Sequence, residues 1–244
     1  MKHHPHPLLH WLGIDMIHVS HGERWLSSIG ALLGIAICWG ISIQFLGPMS
    51  ATLIIASMGA GAVLLFATPH AALAQPWSAT GGHVFSAIIG VTCAQQIDDI
   101  WLAASLAVGL AILVMHYTRS LHPPGGATAL ISVIGGDDIH ALGSGFVLQP
   151  VLLNAVSLLL VALLFNNLIG SRRYPAAWAG SPAEEAAVTG SGIRAEHVRA
   201  AMDEMDMVED ISEEDMLRII QRAEAHALQD KASATTTAKE SGKG

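Results

Sequence analysis

Pro48-Met-Ser-Ala-Thr-Leu-Ile-Ile-Ala-Ser-Met-Gly-Ala60 lies over Pro124-Gly-Gly-Ala-Thr-Ala-Leu-Ile-Ser-Val-Ile-Gly-Gly136 when the chain is slid along itself by 76 residues. Identities fall at Pro48/Pro124, Ala51/Ala127, Thr52/Thr128, Ile55/Ile131 and Gly59/Gly135. The same offset sets Trp25 on Trp101 and Leu26 on Leu102, and a small slip sets Gln75-Pro76 on Gln149-Pro150. Apolar segments often match by chance. A Pro, an Ala-Thr, a Gly and a Gln-Pro in one order point instead to a duplication. Each copy carries three hydrophobic segments. An odd number of crossings turns the second copy upside down, which is the inverted-repeat plan of many transporters.

The composition around these copies is that of a membrane chain. Of 244 residues, 52% are hydrophobic and 13% charged, against about 25% charged in ordinary soluble domains. The net charge of -8 excludes a nucleic-acid binder. Cys38 and Cys93 both lie in apolar runs and form no metal-ligand spacing. A bilayer core of about 30 Å needs roughly 20 apolar helical residues. Stretches 25–46, 49–68, 76–95, 100–118 and 146–169 meet that length, and 124–136 is a shorter candidate. The expected fold is therefore all-α: a polytopic helical bundle of two three-segment inverted repeats, about 25–96 and 101–170, with broken or half helices. Arg119 is the only basic residue between positions 25 and 171, and the only acidic ones are Asp98, Asp99, Asp137 and Asp138. Six crossings place every acidic pair on one side, and Arg119 with Arg172-Arg173 on the other. By the positive-inside rule both termini are then cytoplasmic. If the 48 and 124 segments were only re-entrant, four crossings would remain and the copies would be parallel.

Both copies open a helix on proline, which suits a first turn whose N–H would be unpaired anyway. Pro123 and Pro124 forbid a continuous helix from the preceding span. Gly125 and Gly126 leave backbone N–H groups uncovered, Ala127 adds little bulk, and Thr128 adds a hydroxyl. At membrane depth such a turn offers free donors and the positive end of a helix dipole, a site for a small anion. Pro48 with Ser50, Ala51 and Thr52 is the expected matching half. The bland alternative is that these prolines and glycines make tight interfacial turns. Within the spans no Asp, Glu or Lys is found. His83, behind Gly81 and Gly82, His116 at a span end, and His122 are the groups able to carry a proton near neutral pH, with His122 or His83 favoured for a proton-coupled mechanism. Asn154 is a further candidate for the pathway or for an interhelical bond. Gly30 and Gly34 mark close helix packing or a subunit interface, hence an expected homo-oligomer.

Leu121-His122-Pro123-Pro124-Gly125-Gly126-Ala127-Thr128-Ala129-Leu130 resembles the signature of the HPP family of integral membrane proteins. Gln75-Pro76, Gly81-Gly82-His83 and Ser86-Ala87-Ile88-Ile89-Gly90 are similar to that family's middle segment. The resemblance covers roughly residues 20–172. It implies a membrane protein, usually described with four spans, and a link to nitrite transport. Trp77-Ser78 stands where family members often carry Arg-Asn, which bears on anion selectivity.

The remaining segments frame the membrane unit. Residues 1–24 hold many histidines and no apolar leader core, so a cytoplasmic or interfacial segment is expected there, with a short helix over 8–19. His3, His4 and His6 are read as a floppy tract, not a metal site. Residues 172–244 hold nine basic and fourteen acidic residues. They read as an acidic helical hairpin to 230 and a disordered terminus over 231–244. No cofactor, metal or catalytic set is expected. The favoured function is a transporter or channel for a small monovalent anion, working in the lipid bilayer of the cell membrane. The alternatives are a membrane sensor or scaffold whose tail binds a partner, and a membrane enzyme.

Overall fold

The Ser20 hydroxyl accepts from the Glu23 N–H and starts the first helix, α1 (His21–Ser42). This computed structural model describes residues 20–169, residues 172–178 and position 220. Helix α2 (Pro48–Ala67) and helix α3 (Pro76–Gln96) each begin on proline. Asp99 caps α4 (Ile100–Tyr117), its carboxylate accepting from the Leu102 N–H at 2.8 Å. Helix α5 (Pro123–Ile134) has 12 residues, and α6 (Asp137–Leu142) is a short turn beyond it. A π-helical segment, Val147–Leu152, contains Pro150 and feeds α7 (Leu153–Leu168). All regular structure among the described residues is helical. The expected helix over 8–19, the acidic hairpin and the 231–244 terminus lie outside the described residues.

Side-chain contacts set the direction of each run. Asn166 bonds the Leu65 carbonyl, and Asn154 bonds Ser42 at 2.8 Å, so α7 runs with α2 and against α1. Ser57 meets Thr128 and Pro124, whereas Ser50 meets Gly135 and Asp138, so α5 runs against α2. Ser86 reaches Met115 and Trp77 reaches Thr118, so α4 runs against α3. Six runs therefore alternate between two faces. One, the terminal face, holds the start of α1 and the end of α7. The opposite face holds Asp98, Asp99 and the Asp137/Asp138 turn.

Four runs are long and apolar enough to cross a membrane: α1, α2, α4 and Val147–Leu168. The other two are the central ones. Helix α3 spans 21 residues but buries Ser78, Gly81, Gly82, His83, Ser86 and Gly90 against its neighbours. A run shielded from lipid has no need of an apolar surface, so hydropathy underrates it. Helix α5 is only about 18 Å long at 1.5 Å per residue. The non-helical stretch 118–122 carries the chain down from the terminal face to its start. The peripheral helices present Leu32, Val63, Leu113 and Leu164 outward. Trp25 is exposed near one face and Trp101 near the other, as interfacial tryptophans of a membrane protein are expected to be.

Small residues let the helices approach. A Cβ on Gly90 would lie 2.5 Å from the Ala129 carbonyl oxygen, so α3 and α5 touch backbone to backbone. A Cβ on Gly30 would lie 2.4 Å from Phe66, and one on Gly34 2.6 Å from Leu158. This pair packs against the chain's own α2 and α7, so the subunit-interface reading of it is corrected. Arg172 also differs from expectation. It is not a free topology anchor but is buried: it pairs with Glu23 at 2.7 Å and donates to Ser27 and to the Phe66 carbonyl at the end of α2. Arg173 and Arg119 are exposed on the same terminal face.

The alternation has a direct test, because both native cysteines are buried. In sealed, oriented vesicles, single Asp98→Cys and Asp137→Cys variants are expected to label from one side and Arg119→Cys from the other. Labelling of positions 137 and 119 from the same side would overturn six passes.

Candidate functional site

Where α5 begins, four polar side chains and two backbone carbonyls meet inside the bundle. His122 is the residue before the helix, and the 118–122 stretch reaches it by lying on α3 at Gly81 and Gly82. A Cβ on Gly82 would be 2.5 Å from the His122 Cβ, so this approach requires glycine. The His122 Nδ1 is 2.8 Å from the Leu73 carbonyl. His83, the residue after Gly82 along α3, places its Nδ1 2.8 Å from the Thr128 hydroxyl. Thr128 lies 2.7 Å from the Ser57 hydroxyl, and Ser57 lies 2.8 Å from the Pro124 carbonyl. The two imidazoles stand edge to face with centroids 4.9 Å apart, and their exposures are 1% for His83 and 0% for His122.

Counting protons settles the tautomers. Leu73 offers a carbonyl, which only accepts, so the His122 Nδ1 carries its hydrogen. The chain His83–Thr128–Ser57–Pro124 holds three short contacts but only two hydroxyl hydrogens. Ser57 donates to Pro124, Thr128 donates to Ser57, and the third hydrogen comes from the His83 Nδ1. In neutral rings both Nε2 atoms are then bare acceptors. Both are buried without a partner. Both face Gly61: a Cβ there would be 3.5 Å from the His122 Nε2, 3.6 Å from the His83 Nε2 and 3.5 Å from Leu158. A buried polar atom without a partner is uncommon and points to a ligand, water or proton.

The structure brings together His83, His122, Pro124 and Thr128 from the expected set, and adds Ser57 and Gly61. Ser57 falls in the first repeat copy as one more small residue, and nothing in its spacing marks it. The rest of the set is dispersed. Ser50 bonds Gly135 and Asp138 at the opposite face, where Ala51 is packed into the core. Thr52 is exposed and bonds its own helix at Pro48. The two helix starts therefore do not converge: Pro124 meets Ser57, nine positions along α2 from Pro48, or about 14 Å. The Asn154 amide nitrogen donates to Ser42, its Oδ1 is buried without a partner, and neither atom bonds to this cluster. The Gly125 N–H is not free, because it donates to the His122 carbonyl at 2.8 Å. Gly126 and Ala127 are half-buried. Pro123 is exposed at the first turn of α5. The Trp77 ring donates to the Thr118 carbonyl at 2.9 Å, so the side chain at that position is a neutral interfacial one.

A separate cleft of about 170 Å³ opens at the opposite face between α3, α5 and α6, lined by Gln95, Ser132, Ile139 and His140. The Gly90–Ala129 contact lies between it and the histidines along both helices.

An all-helical, lipid-facing bundle with a polar cluster at a broken helix defines a polytopic integral membrane protein. The chain belongs to the HPP family: the family model described as HPP, transmembrane region, matches residues 17–175. It is also similar to two proteins of Dictyostelium discoideum, each named only as a transmembrane protein. One is 38% identical over 163 residues, covering 64% of this chain and 55% of the relative. The other is 37% identical over 162 residues, covering 64% of this chain and 50% of the relative. The chain thus spans about half the length of the curated relatives it matches. No solved structure matches the chain.

Proposed function

We propose that this chain is a membrane transport protein for a small monovalent anion, nitrite being the favoured substrate, with its pathway between α2, α3 and α5. The observation that carries this reading is a helix that begins inside the bundle, beside two buried histidines with unpartnered nitrogens. Irregular backbone at membrane depth is tolerated where it is buried in protein or lines a wet cavity. The choice of nitrite rests on the family likeness alone.

The inverted-repeat plan is part of the proposal. Exchange α1 with α4, α2 with α5 and α3 with α7. The touching pairs α1–α2, α3–α4 and α3–α5 then become α4–α5, α7–α1 and α7–α2, which also touch, while α2–α5 and α3–α7 map onto themselves. The α2–α5 pair, joined by Ser57 and Thr128, lies on the axis of that exchange. Exposed Arg119 and Arg173 share the terminal face, so that face is assigned to the cytoplasm. The Gly90–Ala129 contact closes the route from the opposite-face cleft, so passage requires α3 and α5 to part there.

Proteoliposomes test this. Nitrite, and to a lesser degree formate and nitrate, are expected to enter vesicles holding the full chain faster than protein-free vesicles. Entry of none of them, with melting curves reporting folded protein, would remove the anion reading.

A further inference from the structure

We propose that His83 and His122 jointly hold one proton that accompanies the anion, so that transport is electroneutral co-transport of proton and anion. The proposal rests on the anion reading above and specifies how its site works.

The tautomers carry the argument. Both Nδ1–H groups are committed, to Thr128 and to Leu73. The neutral pair therefore presents two lone pairs to the space beside Gly61 and no donor. A bare anion is itself an acceptor and is repelled there. Its conjugate acid is not, because its O–H donates to one Nε2. If the proton crosses, the Nε2 lone pair forms the new N–H bond and the O–H electron pair stays on the anion oxygen. The result is an imidazolium donating to the anion. Either description holds one proton and one anion, with net charge unchanged from the empty site. That neutrality matters, because an isolated buried charge is costly in a low-dielectric interior.

Among the described residues, the groups that contact the pair carry no formal charge. Helix α2 supplies Ser57 and Gly61, α3 supplies Gly82, α5 supplies Thr128 and α7 supplies Leu158. The loop over the pair supplies the Leu73 carbonyl and carries His70, whose Nε2 is also buried without a partner but is not among the atoms nearest Gly61, and the Tyr174 hydroxyl donates to the adjacent Ala74 carbonyl. The proton acceptors converging beside Gly61 are the two histidines themselves.

The test uses the full chain in proteoliposomes with sodium nitrite, and protein-free vesicles as background. A potassium–valinomycin clamp imposes voltage, and a pH gradient is imposed separately. Nitrite entry is expected to be unmoved by an inside-positive voltage and to rise about tenfold per unit of outside acidification, as linkage of one proton to one anion requires. Entry driven by voltage and insensitive to pH would overturn the coupling and leave the anion reading standing. No protein-dependent entry at all would overturn both. In folded His122→Gln protein, the remaining entry is expected to lose its pH dependence. A folded variant with the native pH response would remove the histidine pair from the coupling.

Discussion

Gly125→Ala is expected to destabilise the protein by about 3 kcal/mol, the upper end for overpacking a tight core. The added Cβ would lie 2.7 Å from the Ser86 hydroxyl and 2.8 Å from the Gly82 carbonyl oxygen. The second of these is backbone and has no rotamer to yield. Helices α3 and α5 must move apart, and the same movement pulls His83 from Thr128. The neighbouring Gly126→Ala is expected to be neutral or slightly stabilising, since a Cβ there meets nothing within 4 Å and alanine favours helix over glycine by up to about 1 kcal/mol. Melting followed by tryptophan fluorescence in detergent checks the pair of variants. Equal midpoints would mean that α3 and α5 are not packed as described.

The second large effect is at the terminal face. Arg172 is 3% exposed in its side chain, whereas Glu23 is 32% exposed. Glu23→Ala leaves a buried guanidinium without its counter-charge and is expected to cost about 3–5 kcal/mol. Arg172→Met leaves a carboxylate that water reaches and removes a donor from the Phe66 carbonyl, so about 1–3 kcal/mol is expected. The asymmetry is the point: the residue whose loss orphans the more buried charge does the greater damage. Thermal midpoints of the two variants check it: a reversed order would mean that the guanidinium is not the more buried charge, and two small, equal effects would place the pair in solvent.

These two cases measure how far residue identity reaches. Gly125 and Gly126 are twins in the sequence, and both read as uncovered N–H donors. The fold separates them, because one faces α3 and the other faces open space. Arg172 and Arg173 likewise read as one basic pair, yet one is the clasp between α1, α2 and the end of α7 while the other is in solvent. Ser50 and Thr52 matched Gly126 and Thr128 by repeat position and were expected to complete one site. Antiparallel packing of α2 on α5 puts them about 10 Å and about 8 Å along the helix from Ser57, at 1.5 Å per residue. The same packing promotes Ser57, which no spacing marked.

The helical runs show a similar limit. Hydropathy responds to the residues that lipid touches, and four runs satisfy it. The two central runs are covered by protein, so their sequences answer to packing and to the polar cluster instead. The self-match of the sequence, by contrast, points to three segments on each side of the offset, the central two included, because it compares residue order and does not depend on which residues lipid touches.

What the sequence determined alone was the local and the one-dimensional. It set the apolar lengths, the proline starts, the break before Pro124, the scarcity of charge in the membrane half, the family signature and a short list of candidate proton carriers, His83, His116 and His122. Those features depend on chain-local sterics and on transfer from water to lipid, which residue order encodes directly. Only the tertiary structure decided which nitrogen of each histidine is committed and that both free nitrogens face Gly61. That depends on a carbonyl 49 positions before His122 and a hydroxyl 45 positions after His83. Such partners meet through helix packing, and packing is a property of surfaces that the linear order does not display.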